Sequence, residues 1–438
     1  MSFNAAAAFS ILATVFAAGV ARLPALERRP MHADEAILAD MTGTLRKSHS
    51  WRYDASDFHG VMLPVLGAAV PGPLTETALR LVPAVAGVIL AAFATATAGL
   101  PAGLLIALSP AMVYWSRFYI PEMLLALLTA VWLYALRGRD QWDWRITGLL
   151  AGGMLAAKET AMLAFLAAAT AWFLVKRPRP PARSLALLGA AVLACGALVF
   201  TSGLRDWSQV GRMPSALLSR AGGAGHAHPF WFYFSVLRWE LLAIPLAALA
   251  WRRDRFLAAY ALVLGALYCV IPYKTPWCSV QFWWPVLILA GGTPKFACPL
   301  AAAFAAVSFF TSFLHPASPV NPYVYAQTLP EALEIPRRLA SLAGRGETIQ
   351  FFTRQNLWPL PWYLRAHPQQ EWRRDVDFAA QPAPVIVLTP ELEPKLAEWL
   401  YERRPPGQRD LYMRALEEPV FLRPGVEVRI YCLASAMR

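Results

Sequence analysis

The chain has 438 residues, of which 57% are hydrophobic and only 16% are charged. A soluble globular protein is roughly one quarter charged, so this composition argues against an ordinary soluble enzyme and indicates a membrane protein with several spans. The net charge of +12 could suit a nucleic-acid-binding protein. However, the sequence contains no basic module interleaved with aromatic residues, and basic residues that flank membrane spans explain the charge better.

Eleven apolar segments follow one another from residue 5 to residue 313. A helix that crosses a bilayer needs ~20 apolar residues, with ~17 as a lower limit. We predict spans at 5–21, 80–99, 101–115, 121–137, 146–160, 161–175, 184–203, 235–250, 256–272, 281–293 and 296–313. Residues 1–21 resemble a signal peptide, but no basic side chain precedes the apolar run. We therefore interpret them as an uncleaved first span.

Three short connections between the predicted spans are basic. They are 137–145 with Arg137, Arg139 and Arg145, 176–183 with Lys176, Arg177, Arg179 and Arg183, and 251–255 with Arg252, Arg253 and Arg255. Short basic loops remain on the cytoplasmic side, whereas a long loop such as 22–79 counts little. The pattern predicts an integral protein of the cell (inner) membrane with a cytoplasmic N-terminus. Eleven spans then place the C-terminal segment on the extracytoplasmic side.

The segment from residue 315 to residue 438 differs from the rest, because it is polar and contains short alternating runs. The runs at 349–352, 385–388 and 426–432 predict strands, and residues 392–400 predict an amphipathic helix. We therefore predict two domains: a transmembrane domain at 1–314 and a small extracytoplasmic α/β domain at 315–438, with three to five strands. The fold class is an α-helical polytopic membrane protein with about eleven transmembrane helices.

Charged residues gather in four turns that this topology places at the outer face. They are Asp34 and Glu35, Arg117 and Glu122, Lys158, and Lys274. Taken singly, each cation could be an interfacial anchor, and Arg117 with Glu122 a local ion pair. Taken together, carboxylates beside fixed cations suit an anionic lipid head group, because Arg and Lys bind phosphate while a carboxylate can take a proton from a hydroxyl nucleophile.

Histidine and cysteine offer weaker indications. The five cysteines form no CxxC pair, so a disulfide framework or zinc ribbon is not expected. His226 and His228, together with Asp34 and Glu35, could hold a divalent metal ion, although ordinary polar loop residues explain them equally. The cofactor requirement is unknown from the sequence. Among the aromatic residues, Trp277 could stack on a sugar, whereas Trp358 and its neighbours suit core packing better.

These residues resemble those of the GT-C glycosyltransferases, which include protein O-mannosyltransferases, aminoarabinose transferases and RgtA-to-D-like enzymes. The acidic pair Asp34-Glu35 follows the first span, and a second external loop carries Ser109-Pro110 and Glu122. A narrower resemblance is to the prokaryotic flippase activity-associated family of archaeal N-glycosylation. It rests on four sequence motifs that occur in the same order: Ala157-Lys158-Glu159-Thr160, Pro272-Tyr273-Lys274-Thr275-Pro276-Trp277, Asn321-Pro322-Tyr323-Val324-Tyr325 and the segment from Asn356 to Arg365.

The resemblance implies a cell-envelope transferase that moves a hexose or pentose from a polyprenyl-phosphate donor, with inversion at the anomeric carbon. The acceptor would be a hydroxyl of a lipid, glycan or protein. Asp34 matches the catalytic base of the family, Glu35 the adjacent acid, and Glu122 the acid of the second external loop. Arg117, Lys158 and Lys274 are candidates for the lipid phosphate on grounds of charge and topology.

Two other functions compete with the transferase. A non-catalytic component of lipid-linked sugar flipping or export would need charge inside the spans and often shows inverted repeats. The predicted spans contain almost no central charge, and the chain shows no internal repeat, so the pattern favours the enzyme. A structural partner that recruits other proteins through residues 315–438 is the third hypothesis.

Overall fold

The computed structural model describes residues 5–55, 60–137, 144–178, 180–222, 225–344, 346–416 and 418–437. The residues Arg139 and Arg179, which entered the topology prediction, lie outside these ranges. Contacts divide the chain into two compact units. The first, here called the helical unit, comprises Met1–Arg28 and Leu38–Tyr325, and the second, the sheet unit, comprises Arg29–Ile37 and Ala326–Arg438. The division into domains 1–314 and 315–438 stays a prediction.

The helices up to residue 309 follow one another with short connections. They are α1 Ala5–Arg22, α2 Ala33–Ser48, α3 Met62–Ala69, α4 Glu76–Ala98, α5 Leu100–Leu108, α6 Pro110–Ser116, α7 Glu122–Leu136, α8 Trp144–Ala157, α9 Ala161–Leu174, α10 Ala182–Phe200, α11 Ser208–Ala221, α12 Phe232–Val236, α13 Ala243–Ala250, α14 Arg255–Val270, α15 Ser279–Ala290 and α16 Pro294–Phe309. A π-helical turn, Phe310–Leu314, extends α16.

Four helices in the described ranges are long and apolar enough to cross a membrane by length and composition: Ala5–Arg22, Glu76–Ala98, Ala182–Phe200 and Pro294–Leu314. Four further apolar helices, Glu122–Leu136, Arg145–Ala157, Ala161–Leu174 and Arg255–Val270, are shorter. The count of eleven spans therefore stays a prediction.

Two predicted spans are interrupted in the structure. The segment 101–115 divides into α5 and α6, because the Ser109 side chain accepts a hydrogen bond from the Met112 N–H and Pro110 begins a new helix. Proline lacks an N–H and favours the first helical turn. The segment 235–250 is interrupted between Val236 and Ala243.

The long connection predicted at 22–79 contains two helices that the sequence did not predict, α2 and α3. Helix α2 is amphipathic: Leu38, Ala39 and Thr42 are buried, whereas Asp40 is exposed. Such a helix is mixed in composition along the chain and uniform only along one face, so a search for continuous apolar runs does not find it.

The three basic connections meet at one end of the helical unit. Arg137 forms an ion pair with Asp254. The guanidinium groups of Arg137 and Arg177 lie 5.8 and 5.4 Å from the centroid of the Phe256 ring. The loops predicted to share the cytoplasmic side therefore lie close together, although the side of the membrane on which they lie stays a prediction.

The sheet unit contains a mixed sheet. Its described strands are β1 Ile349–Phe352, β2 Gln370–Arg373, β3 Val385–Leu388, β4 Tyr412–Arg414, β5 Val420–Arg423 and β6 Val426–Leu433. The order is β2-β1-β3-β6-β4, and β5 also pairs with β6. Strand β1 is parallel to β2 and β3, and the other pairs are antiparallel. The helices are α17 Glu334–Leu342, α18 Leu360–Tyr363 and α19 Glu393–Ala397.

The predicted strands at 349–352, 385–388 and 426–432 are present, but the described sheet has six strands rather than three to five. The predicted helix at 392–400 is present as α19, which continues as a π-helical turn, Glu398–Glu402. Both faces of the sheet are covered. Val385 and Val387 belong to one apolar cluster, whereas Ile386 and Leu388 belong to the other, as alternation along a strand requires. The strands that the sequence did not predict are short and mostly polar or exposed.

Candidate functional site

The acidic pair lies at the first turn of α2, in the part of the chain that belongs to the sheet unit. The backbone N–H of Asp34 donates to Nδ1 of His32 at 3.2 Å, and the backbone N–H of His32 donates to Glu35 Oε2 at 2.9 Å. This reciprocal pattern is a capping box, with His32 as the N-cap and Glu35 at the third helical position. Arg29 forms an ion pair with the same Glu35 oxygen at 3.4 Å. Glu35 is 0% exposed, so its carboxylate is committed to the helix start.

Asp34 differs from its neighbour. Its side chain is half-buried and has no hydrogen-bond or ion-pair partner in the ranges that the structure describes. Its charge interacts electrostatically with that of Arg423 at the end of β5. Burial lowers the pKa of Arg423, and the negative charge of Asp34 acts in the opposite direction. The carboxylate of Asp34 therefore has no protein donor committed to it among the described residues.

The segment before the acidic pair is held within the sheet unit by three hydrogen bonds. The backbone N–H of Met31 donates to the Tyr363 hydroxyl at 2.8 Å, and the Thr328 hydroxyl donates to the Met31 carbonyl at 2.7 Å. The Gln327 amide donates to the Pro30 carbonyl at 3.0 Å. Because these bonds use backbone groups, they fix the path of the chain directly before Asp34.

Glu122, which is buried, and Lys158, which is 13% exposed, form an ion pair in the helical unit, in which the ammonium group donates to Oε1. Glu122 begins α7 and Lys158 directly follows α8, so two helix ends meet here. The backbone carbonyl of Glu122 accepts a hydrogen bond from Gln281 at 2.8 Å, which joins α15 to the same point. The second carboxylate oxygen, Oε2, is buried without a hydrogen-bond partner among the described residues. The site has therefore one free acceptor beside a cation.

Arg117 is buried and organises the end of α1. Its guanidinium donates to the carbonyl oxygens of Arg22, Pro24 and Ala25 at 2.8 to 2.9 Å. It also lies 4.5 Å from the centroid of the Phe313 ring. These contacts give Arg117 a structural task, and its predicted contact with a lipid phosphate stays a prediction.

Lys274 lies in a tightly tied turn between α14 and α15. Its ammonium group donates to the carbonyls of Ile271 and His228 at 2.6 and 3.0 Å. Its backbone N–H donates to the carbonyl of His226 at 3.0 Å. The hydroxyl of Tyr325 lies 2.7 Å from His226 Nδ1 and 3.0 Å from His228 Nε2. The His-Ala-His segment, the Lys274 turn and Tyr325 therefore form one cluster.

The helical unit thus brings together turns that are far apart in sequence. The rings of Trp115 and Trp277 meet edge to face at 5.5 Å, which joins the Arg117 turn to the Lys274 turn. Asp34 and Glu35 belong to the other unit. Within the described ranges, no group of three or more His, Cys, Asp or Glu side chains could hold a metal ion. The predicted set that combined both histidines with the acidic pair is not formed as a ligand cluster there.

Glu240 is a buried carboxylate that the sequence analysis did not identify. It is 0% exposed, and each of its oxygens accepts two hydrogen bonds. The donors are the Ser109 hydroxyl, the Ala111 N–H at 2.7 Å, the Trp283 indole N–H at 2.9 Å and the Tyr323 hydroxyl at 2.7 Å. All four lone-pair positions of the carboxylate are therefore occupied. The only signal in the sequence was one acidic residue inside the apolar segment 235–250.

No protein-family profile matches the chain, and no curated protein is similar to it in sequence. Solved structures, in contrast, share its fold. ArnT from Cupriavidus metallidurans in the apo state aligns over 99% of this chain and 100% of its own, with a TM-score of 0.70 and 15% identity. The same protein bound to undecaprenyl phosphate aligns over 98% and 99%, with a TM-score of 0.68 and 14% identity. The arabinofuranosyltransferase AftD from Mycobacteria aligns over 99% of this chain and 40% of its own, with a TM-score of 0.47 and 16% identity.

The likeness to ArnT shows that the chain shares the fold of that protein, and the GT-C resemblance predicted a fold of this kind. The four long apolar helices agree with it. The narrower resemblance to the flippase activity-associated family stays a prediction.

Proposed function

We propose that this protein is a membrane glycosyltransferase that moves a sugar from a polyprenyl-phosphate donor to an acceptor hydroxyl at the extracytoplasmic face. Asp34 is the observation that carries the proposal. In an acidic pair at one helix start, Glu35 is buried in a capping box, whereas the Asp34 carboxylate has no hydrogen-bond or ion-pair partner in the described part of the chain. A base needs such an uncommitted acceptor. The GT-C fold and the binding of undecaprenyl phosphate by ArnT support this assignment.

The reaction that these residues suit is a single displacement. The Asp34 carboxylate removes the proton from the acceptor hydroxyl as its oxygen attacks the anomeric carbon. The bond between that carbon and the lipid phosphate oxygen breaks, and its electron pair remains on the phosphate. Attack from the opposite face inverts the anomeric centre. Because the leaving phosphate is already anionic, it requires charge stabilisation rather than a proton.

The candidates for that stabilisation are the cations of the helical unit. Lys158 presents an ammonium group next to Glu122, whose Oε2 has no hydrogen-bond partner among the described residues. Lys274 uses two of its three N–H groups on described carbonyls, so one remains for a phosphate oxygen. Arg117 donates to three carbonyls already and would contribute mainly its charge. Glu122, which matches the acid of the second external loop, would orient Lys158.

The test is sugar transfer in membranes from a panel of radiolabelled polyprenyl-phosphate sugars. We expect transfer by the wild type from at least one donor and a loss on the order of 10²- to 10⁴-fold in Asp34→Asn, the range for removal of a general base. Asp40→Asn is the matched control, because Asp40 is exposed on the same helix. Wild-type transfer by Asp34→Asn would rule out the assignment of the base.

Movement of a lipid-linked sugar without chemistry is the alternative. Glu240 is the carboxylate that such a route would use inside the helical unit, but its four acceptor positions are all occupied by fixed donors. A flipping assay in proteoliposomes with the same donors separates the two functions. Flipping that persists in Asp34→Asn, without any transfer by the wild type, would favour the alternative.

A further inference from the structure

The sheet unit contains an open cleft of 490 Å³ beside the carboxyl end of β1. Thr353, Gln355 and Asn356 line it on the polar side, and Trp358 and Trp372 contribute the aromatic surface. Ligands of open α/β sheets bind outside the carboxyl ends of parallel strands. β1 is parallel to both of its neighbours, so the cleft occupies such a position.

The aromatic surface of the cleft is rigid and exposed. Trp372 is 39% exposed, and its ring stacks on Phe351 at 3.9 Å with an interplanar angle of 6°. Its indole N–H donates to Gln370 Oε1 at 3.2 Å, which sets the orientation of the ring. An exposed planar ring that is backed by a second ring offers a ready stacking surface, because the ring face is electron-rich and attracts C–H groups.

Trp358 is also held in place. Its backbone N–H donates to Asn356 Oδ1 at 2.8 Å. Arg423 donates to the Trp358 carbonyl at 2.9 Å and to the Asn356 carbonyl at 2.5 Å. The Asn356 side chain lines the cleft and is exposed, and its NH₂ group makes no hydrogen bond to the described residues, so its two donors are available to a ligand.

The chemistry of the lining selects the class of ligand. The lining side chains are aromatic, aliphatic, amide or hydroxyl, and none is charged. A phosphate would require a cation, and a stable protein partner would bury ~800 Å² on each side, which a cleft of this size does not provide. A sugar ring has an apolar C–H face for the tryptophans and hydroxyls for the amides. Neutral carbohydrate therefore fits this lining.

Arg423 joins the cleft to the acidic pair. The guanidinium that holds the Trp358 and Asn356 carbonyls also interacts with the charge of Asp34. We propose that the cleft is a binding site for a neutral glycan and that this glycan belongs to the acceptor. The second part of this proposal rests on the transferase function proposed above. The acceptor is then itself a carbohydrate or carries one.

The experiment uses the purified full-length protein in lipid nanodiscs without any donor. The probes are α-mannohexaose, cellohexaose and chitohexaose, with binding followed by saturation-transfer NMR and titration calorimetry. We expect saturable binding of at least one probe and about tenfold weaker binding by Trp372→Ala, which is the loss of one good aromatic contact. Trp207→Ala is the matched control, since Trp207 is 59% exposed and lies in the helical unit.

Gln355→Ala provides a second variant, because it changes the polar rim and leaves both tryptophans in place. It should weaken binding severalfold, with an unchanged melting temperature. Saturable binding of none of the three probes, or equal affinity in wild type and a folded Trp372→Ala, overturns the proposal. Asp34→Asn should bind the probe like the wild type. If transfer requires Asp34 but no probe binds, the glycan site is refuted and the transferase proposal stands. If a probe binds but transfer does not require Asp34, the role of Asp34 as the base is refuted and the glycan site stands.

Discussion

Two sets of charged residues, one inside the helical unit and one at the surface of the sheet unit, are stabilised in opposite ways. In the helical unit, the charges of Glu240, Glu122 and Arg117 are buried, and each is held by fixed donors, a counter-ion or carbonyl oxygens. In the sheet unit, Asp375 pairs with Arg354 and Lys395 at 2.6 Å at the surface. A buried charge without a partner costs several kcal/mol, whereas an exposed pair gains less than ~1 kcal/mol. The same residue types are therefore essential to stability in the buried set and marginal in the exposed set.

The largest expected effect is at Glu240. Glu240→Ala leaves four buried donors without an acceptor, and we expect a loss of at least ~3 kcal/mol in the free energy of unfolding. Glu240→Gln retains one oxygen and should lose less. The melting temperature of the protein in detergent micelles measures both. Asp40→Ala, an exposed acid, is the control. A melting temperature of Glu240→Ala equal to that of the wild type would contradict the buried network.

The next effect concerns the Glu122–Lys158 pair. Glu122→Gln or Lys158→Met alone should each cost ~3 kcal/mol, because the remaining charge is buried without its counter-ion. The double variant should recover much of this stability. If Lys158 also binds the donor phosphate, the stable double variant will not transfer sugar. Strictly additive losses would show that the pair is not coupled, and normal transfer by the double variant would exclude Lys158 from the phosphate site.

Substitution of the two adjacent acids, Asp34 and Glu35, should have opposite effects on stability and on sugar transfer. Glu35→Ala removes the capping box and should cost about 1 to 2 kcal/mol. Asp34→Ala should change the free energy of unfolding by less than ~0.5 kcal/mol, because its carboxylate has no hydrogen-bond or ion-pair partner among the described residues. Transfer should be abolished in Asp34→Ala and partly retained in Glu35→Ala. Melting curves and transfer assays on the same preparations test this contrast. If Asp34→Ala is the unstable variant and Glu35→Ala the inactive one, Glu35 is the base and Asp34 the helix cap.

The smallest effect is expected at the surface of the sheet unit. Hydrogen bonds from Lys395 and Arg354 lower the pKa of Asp375 from 3.8 to about 2. A lowered pKa contributes stability above the unfolded pKa and loses it as the pH falls toward about 2. Asp375→Asn should therefore lower the melting temperature slightly at neutral pH, with the difference from wild type vanishing between pH 3.8 and about 2. High salt should reduce the difference. If the melting-temperature difference between wild type and Asp375→Asn instead grows as the pH falls, the pKa of Asp375 is not lowered by these ion pairs.

Several features were predictable from the sequence because they are local or periodic. The strands at 349–352 and 385–388 are short apolar runs that a sheet buries on both faces. The basic connections at 137–145, 176–183 and 251–255 were expected on one side, and Arg137 and Arg177 indeed meet at Phe256. Helix α2 was missed because its apolar residues recur on one face only.

The residue types of the candidate site could be predicted from the sequence, but which of these residues are hydrogen-bonded and which are free could not. Asp34 and Glu35 are adjacent acids in the sequence, and nothing in their spacing says which one is free. Their difference arises because α2 begins directly after His32, which turns Glu35 back to the helix start. Likewise, one acidic residue in an apolar segment does not reveal the four donors that reach Glu240 from residues 109, 111, 283 and 323.

The sequence by itself predicted a helical membrane protein with a small α/β unit at its C-terminal end. Bilayer thickness sets the length of an apolar span, and topology sets the charge of the loops between spans. The alternation of a strand involves only a few neighbouring residues. All three patterns can therefore be recognised along the sequence. The tertiary structure alone decided which charged groups are satisfied and which are available. That outcome depends on hydrogen-bond distances between residues far apart in sequence, such as the 2.7 Å between Tyr323 and Glu240, and no local pattern encodes such a distance.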